Sequence, residues 1–144
     1  LPIYHLRRDG PVGGHHHGGR LAGRVPPDEV ARHYREADLF VFPSLREFGG
    51  GVVLEAMAMG VPVVTSRVAA GGVDAESVKH FLVADTCEEY SAAILRILDD
   101  PAERQRLAVA GRQRMLSNHA WPHSMARLDE IIDRCIRNFS GRQT

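Results

Sequence analysis

Two carboxylates on either side of a glycine triplet are the residues of this sequence best suited to chemistry. Glu47 precedes Gly49-Gly50-Gly51, and Glu55 follows four residues after the triplet. Glycines allow a ligand to approach the backbone closely. The helix expected behind them offers unbonded N–H groups and the positive end of its dipole. The segment therefore predicts a site for an anion such as a diphosphate, with an acidic residue before and after it.

Glu55 needs a partner, because its neighbours in the chain are apolar. Residues 52–59 are otherwise Val, Leu, Ala and Met, so we expect a helix that is apolar nearly all round and deeply buried. An ionised carboxylate in such surroundings costs on the order of several kcal/mol unless it is paired or hydrogen-bonded. Two ribose hydroxyls would satisfy both oxygens, as in other nucleotide-binding α/β folds. The alternative is a salt bridge to Arg46 or Arg67.

Glu47 lies in the loop directly before the glycines, so its side chain can point into the same cleft as Glu55. The alternative is that Glu47 caps the helix or faces solvent. Gly71-Gly72 follows the next strand, and it either lines part of this cleft or forms a plain loop. Both segments follow expected strand ends, which is where ligands bind in open α/β sheets.

The elements that must position these residues alternate between strands and helices. Continuous apolar runs such as residues 39–42 predict strands buried on both faces. Apolar residues at helical spacing, with acidic residues and proline at the start, predict the helices. This order favours an α/β fold with a parallel sheet sandwiched by helices and a helical C-terminus. The predicted strands cover residues 2–6, 20–25, 39–42, 61–65 and 80–84. The predicted helices cover 28–37, 50–59, 86–98, a stretch from 101 and another from 121, with a loop over 68–78.

Composition narrows the class of protein. Lys+Arg and Asp+Glu both number 18, giving a net charge of zero, whereas proteins that bind nucleic acid usually carry a basic excess. A hydrophobic fraction of 44% is typical of a globular domain. The longest apolar run, residues 49–64, is interrupted by Glu55 and Pro62 and is too short for a membrane span. Two distant cysteines and a strong preference for Arg over Lys favour the reducing cytoplasm of a bacterium.

Two basic features remain open to more than one interpretation. His15, His16 and His17 lie in a Gly-rich stretch, which favours a linker over a metal site because no carboxylate or cysteine stands nearby to complete one. A group of arginines in the last third of the chain forms either a solvated helix surface or a face for peripheral membrane contact. These arginines are Arg104, Arg106, Arg112 and Arg114.

The segment around the two glutamates resembles a known family. Glu47 and Glu55 form an E-x7-E motif, and its context is similar to that of retaining glycosyltransferases of the GT-B fold, the family 4 (group 1) type. The resemblance extends over roughly residues 20–136. Its other matching positions are Ala37-Asp38, Pro43-Ser44, Phe48-Gly49, Ala56-Met57-Ala58, Gly60 and Pro62-Val63-Val64.

The resemblance implies a fold, a domain organisation and an activity. Residues 20–144 would be the Rossmann-like, nucleotide-sugar-binding C-terminal half of a GT-B enzyme, behind a lead-in and Gly/His linker over residues 1–19. The full enzyme would transfer a hexose, with retention, to a glycan or lipid-linked acceptor, at the inner face of the membrane where that acceptor is a lipid. Because the chain begins at Leu1 and lacks the family's acceptor domain, we expect an inactive fragment. The alternative is a non-catalytic module that binds nucleotides or a protein partner.

The resemblance also implies roles for individual residues. Glu47 would act in catalysis by contacting the transferred sugar near its reacting carbon, and Glu55 would bind the donor ribose. The family uses neither a metal nor a cofactor, but its usual Arg and Lys clamp on the donor phosphates has no match in this chain. The other donor-binding positions act through the backbone, and they are Arg24 and Val25 beside the base and Phe48, Gly49 and Gly50 beside the sugar and diphosphate.

We predict that a nucleoside diphosphate binds this chain without a divalent metal ion. The sequence contains no Asp-x-Asp pair, the kind of carboxylate spacing that would hold Mg²⁺ or Mn²⁺ against a diphosphate. Isothermal titration in buffer containing EDTA should give the same affinity as titration with excess magnesium. Binding that disappears with EDTA and returns with either metal would contradict the prediction.

Overall fold

The computed structural model describes residues 4–5, 20–21, 26–46 and 50–140. Its elements alternate as the sequence predicts, with three helices at the C-terminal end. In chain order they are β1 (Tyr4–His5), β2 (Arg20–Leu21), α1 (Pro27–Glu36), β3 (Phe40–Phe42), α2 (Gly51–Ala58), β4 (Val63–Thr65), α3 (Arg67–Ala70), β5 (Leu82–Val83), α4 (Cys87–Asp99), α5 (Pro101–Asn118) and α6 (Trp121–Ser140).

A parallel sheet in the order β3-β4-β5 forms the centre of the fold. Phe40 pairs with Val63, and Val64 pairs with both Val41 and Leu82. The predicted α/β class with a parallel sheet is therefore confirmed. β2 differs from the expectation, because it pairs with β1 in a separate antiparallel ladder. A parallel pair would need a crossover element, and the Gly/His stretch between these two strands has no helix pattern in its sequence.

Successive residues of the central strand, β4, pack in two separate core clusters, because side chains alternate between the two faces of a sheet. Val63 joins Tyr34 of α1 and Met57 of α2 in one cluster, and Val64 joins Ile97 of α4 and Leu107 of α5 in the other. The sheet is thus covered by helices on both faces. This explains why its strands read as continuous apolar runs in the sequence.

Side-chain hydrogen bonds cap the starts of α4 and α5. The Thr86 hydroxyl accepts a hydrogen bond from the Glu89 N–H, and the Glu89 carboxylate accepts one from the Thr86 N–H. The helix α4 therefore begins with a full capping box. Asp100 accepts from the N–H groups of Ala102 and Glu103 at the start of α5. The prediction of a loop over residues 68–78 is wrong for residues 68–70, because these belong to the short helix α3.

α2 is only partly buried, which corrects the expectation of a deeply buried helix. Val53, Ala56 and Met57 are buried, but Gly51 and Glu55 are exposed. Gly51 and Glu55 lie four residues apart and therefore share one side of the helix. The solvent-exposed face of α2 consists of small residues and one glutamate, so the apolar composition of the helix did not reveal it.

α6 carries an apolar stripe that the described part of the chain does not cover. Large side chains at helical spacing confirm the predicted helix from residue 121, yet they remain exposed. None of the helices among the described residues is long and apolar enough to cross a membrane. The stripe consists of Trp121, Met125, Leu128, Ile131, Ile132, Ile136 and Phe139.

Glu103 of α5 binds two arginines, Arg106 on its own helix and Arg96 on α4, and so connects these two helices. Its carboxylate lies 2.6 Å from Arg106 Nε and 2.6 Å from Arg96 Nη2 of α4. The hydrogen bonds from Arg106, followed by that from Arg96, lower the pKa of Glu103 to about 2 from an ordinary value of 4.5. The side chain of Glu103 is 12% exposed, whereas those of Arg96 and Arg106 are 49% and 44% exposed, so these ion pairs are partly open to solvent.

We predict that Glu103→Gln lowers the free energy of unfolding at pH 7 by about 1 kcal/mol, the scale of partly exposed ion pairs. A carboxyl whose pKa is depressed in the folded state stabilises fully above its unfolded pKa, and this contribution is lost as pH falls through the folded pKa. The difference from the parent protein should therefore narrow between pH 4.5 and about 2. Urea unfolding across this range tests it, with Glu130→Gln at an exposed position in the middle of α6 as control. A difference independent of pH would contradict it.

Candidate functional site

The carboxyl ends of β3, β4 and β5 meet at one edge of the sheet, because the three strands are parallel. Short polar bonds join the strand ends there. The Thr65 hydroxyl donates to the Phe42 carbonyl at 3.1 Å, and the Ala84 N–H donates to the Thr65 carbonyl at 2.9 Å. This edge is the usual location of ligand sites in open α/β sheets.

Ser66 fixes the loop that leaves β3 at this edge. Its hydroxyl donates to the Ser44 carbonyl at 2.5 Å and accepts from the Ala69 N–H at 3.2 Å. Ser66 is buried, so both bonds are shielded from water. The loop from Pro43 to Arg46, which leads toward the glycine triplet, is thereby attached to the start of α3.

Arg67 and Asp85 form a second connection across the edge. The Arg67 backbone N–H and its Nε each lie 2.9 Å from an oxygen of the Asp85 carboxylate. The backbone N–H bond, supported by the guanidinium, holds the pKa of Asp85 below its ordinary value. The alternative in which Arg67 pairs with Glu55 is therefore wrong, because Arg67 points along the edge to Asp85.

Gly50 directly precedes α2, and its backbone conformation and close surroundings are ones that other residues fit poorly. Its backbone is left-handed, with φ 62° and ψ 20°. A Cβ there would lie 2.7 Å from Val73 Cγ2 and 3.2 Å from the Ala69 carbonyl oxygen. The Gly50 carbonyl accepts from the N–H groups of Val53 and Leu54. The first amides of α2 precede these and have no acceptor within the helix, as at any helix start.

Glu55 lies one turn beyond this helix start, on the exposed side of α2. The expectation that its charge is buried is wrong. The described partner of its carboxylate is Tyr34 of α1, whose hydroxyl lies 3.4 Å from Oε2 and 3.4 Å from the Val52 carbonyl and shares its one proton between these two acceptors. Burial, followed by the nearby charge of Glu55, raises the pKa of Tyr34 well above its ordinary value. The phenol is therefore protonated at neutral pH and can donate a hydrogen bond.

The structure thus places Gly50 and Glu55 together on α2, whereas other predicted site residues lie outside the described residues. In the sequence, Tyr34 stands at helical spacing from the apolar residues Val30 and Ala37, and no signal distinguishes its hydroxyl. Among the residues described here, no group of three or more His, Cys, Asp or Glu is placed to hold a metal. The predicted residues outside the description are Arg24, Val25, Glu47, Phe48 and Gly49, together with His15, His16 and His17.

Two of the four arginines predicted as a basic face, Arg106 and Arg114, bind to other parts of the domain. Arg106 binds Glu103 and donates to the carbonyls of Val78 and Lys79. Arg114 pairs with Asp74 at 2.8 Å. Much of the positive charge on α5 is therefore paired inside the domain, and it attaches α5 to the segment between α3 and β5.

Comparison with known proteins relates residues 5–100 to the protein family described as Glycosyl transferases group 1. The chain is 38% identical over 107 residues to the glycogen synthase of Mycobacterium tuberculosis, covering 71% of this chain and 25% of that protein. It is 35% identical over 116 residues to the D-inositol 3-phosphate glycosyltransferase of Rhodococcus opacus, covering 79% and 26%. It is 33% identical over 113 residues to the MMP alpha-(1->4)-mannosyltransferase of Mycolicibacterium hassiacum, covering 76% and 27%. The chain thus spans about a quarter of the length of these curated relatives.

We predict that Gly50→Ala destabilises the domain by about 2–3 kcal/mol, because the new Cβ adds a left-handed backbone penalty and a clash with Val73. The matched control is Gly51→Ala, where a Cβ meets nothing within 4 Å. Alanine inside a helix is better than glycine, so this control should be neutral or slightly stabilising. Equal loss of stability in the two variants, measured by urea unfolding, would contradict the role given to Gly50.

Proposed function

Since this chain belongs to the group 1 glycosyl transferase family, we propose that it binds the nucleotide-sugar donor of a retaining glycosyltransferase of the GT-B type. The domain would supply one wall of the active site. Polypeptide beyond it would supply the acceptor side, because the relatives are about four times as long as their matched segments. The names of the relatives, a glycogen synthase and a mannosyltransferase among them, support the transfer of a hexose.

The observation that carries this proposal is the exposed Glu55 carboxylate one turn past the open start of α2. At a rise of about 1.5 Å per residue, Glu55 lies roughly 6 Å along the axis from Gly51. A nucleoside diphosphate carries matching groups at a similar spacing, because its anionic diphosphate is separated from the 2′,3′-diol by the length of the ribose ring. The helix start would accept the diphosphate, and the carboxylate would accept hydrogen bonds from the two ribose hydroxyls.

The E-x7-E motif supplies the remaining roles in the proposal. Glu47 would contact the transferred sugar near the carbon that reacts. The backbone at Phe48, Gly49 and Gly50 would hold the sugar and the diphosphate, and the backbone near Arg24 and Val25 would support the base. Gly50 supports this arrangement, because its tight contact with Val73 fixes the point from which the helix start faces the edge.

The chemistry follows from the charge that develops on the leaving diphosphate. N–H groups already oriented at the helix start stabilise that charge without reorganisation when the sugar departs. The helix dipole acts in the same direction, and we propose that it serves in place of a metal ion. The acceptor is a hydroxyl of a glycan or a lipid-linked glycan, presented by the rest of the protein.

We predict that Glu55→Gln weakens binding of the preferred nucleoside diphosphate by about 10–100-fold, the cost of losing one charge-assisted contact. Isothermal titration with UDP, GDP and ADP identifies that nucleotide in the parent chain. Because Glu55 is exposed, urea unfolding should give the same stability for both proteins. Glu130→Gln, which neutralises an exposed glutamate on α6, is the control and should bind normally. Unchanged affinity in Glu55→Gln would refute the ribose role.

A further inference from the structure

We infer that Tyr34 is a positioning residue, whose buried hydroxyl holds the Glu55 carboxylate in place for the ribose of the donor. This inference rests on the proposed function of Glu55. Tyr34 is 4% exposed, and its hydroxyl reaches from α1 to Oε2 of Glu55 at the surface of α2. The two residues are 21 positions apart in the sequence, so only the folded domain brings them together.

The ring of Tyr34 is fixed by its surroundings. It contacts Phe40 of β3 edge to face, with ring centroids 5.5 Å apart and an interplanar angle of 74°. Phe40 in turn stacks on Phe42 at 6.0 Å. The same cluster includes Ala56 and Met57 on the buried face of α2. The position of the hydroxyl is therefore set by the core and does not depend on a ligand.

Glu55, by contrast, would be mobile without this contact. An exposed glutamate rotates about several side-chain bonds, and fixing it costs up to about 2 kcal/mol of conformational entropy. The bond to Tyr34 selects one orientation before a ligand arrives, and such preorganisation raises affinity. A carboxylate accepts about four hydrogen bonds, so this bond leaves Oε1 and part of Oε2 for the ribose hydroxyls.

The protonation state of Tyr34 suits this task. Burial and the negative charge of Glu55 both raise the pKa of the phenol, so the hydroxyl remains a donor at neutral pH. The hydroxyl also lies 3.4 Å from the Val52 carbonyl. A purely structural tyrosine would need only that second bond, and the two roles predict different effects on ligand affinity.

A double-mutant cycle on the complete 144-residue chain separates the two roles. The cycle compares the parent with Tyr34→Phe, Glu55→Ala and the double variant, each titrated with the preferred nucleoside diphosphate and with its 2′-deoxy analogue. We expect Tyr34→Phe to weaken binding of the ribonucleotide about fivefold, the worth of one ordinary hydrogen bond. We expect a smaller loss with the deoxy analogue, and no further loss when Glu55 is already alanine.

Tyr90→Phe is the matched control for removal of a buried hydroxyl. Among the described residues, the Tyr90 hydroxyl has no hydrogen-bond partner, and its ring packs in the other core cluster. This variant should bind like the parent. Phenylalanine keeps the edge contact of residue 34 with Phe40, and urea unfolding checks that each variant is folded. Replacing Tyr34 with 4-aminophenylalanine restores a donor at the same place, and affinity should recover.

The outcomes distinguish this inference from the proposed function. Normal affinity in Tyr34→Phe, or an equal loss whether residue 55 is Glu or Ala, overturns the positioning role while Glu55 keeps its own. A parent chain that binds no nucleoside diphosphate, or Glu55→Ala with full affinity, overturns the proposed function and the positioning role together.

Discussion

The contact between Gly50 and the segment after α3 is the constraint on which the rest of the site depends. Gly50 turns the chain in a left-handed conformation, and its missing side chain lets the backbone approach Ala69 and Val73. That approach sets where α2 begins and in which direction it runs. Since helix geometry is rigid, the same contact fixes the first amides of α2 and the backbone position from which the Glu55 side chain extends one turn later. One residue without a Cβ therefore places the starting points of two groups of different chemistry.

The sheet edge must be stabilised by side chains, because the strands themselves are short. β3 and β4 have three residues each, and β5 has two. Strands this short form few backbone hydrogen bonds with one another. Side-chain hydrogen bonds at their carboxyl ends add to the bonding between neighbouring strands. Thr65 and Ser66 bind carbonyls of the β3 end, and Asp85 binds the start of α3. The polar residues at this edge thus stabilise the part of the fold in which we propose the ligand site.

The sequence predicted the elements well, because each has a clear periodic pattern and a chemical boundary. The proline at the start of α1 and the capping box of α4 mark helix ends in the sequence as they do in the structure. The open face of α2 was not predictable, because Gly51 and Glu55 stand among apolar residues whose packing partners come from distant parts of the chain. The pairing of Arg67 with Asp85, 18 residues apart, was missed for the same reason. The Tyr34 hydroxyl was missed because its ring alone explains its place in the apolar pattern.

The exposure of Glu55 changes how the site must work. A buried, ionised carboxylate would destabilise the domain until a ligand compensated for its lost hydration. An exposed one keeps most of its hydration, so the domain folds without a ligand, and a ligand must replace water at the carboxylate. The gain from that exchange is small unless the carboxylate is already oriented. In the proposed site, the buried donor of Tyr34 would supply that orientation from the core side and leave the solvent side open to the ligand. Core packing around Phe40 and the proposed recognition of the ligand by Glu55 would then be linked through one hydroxyl group.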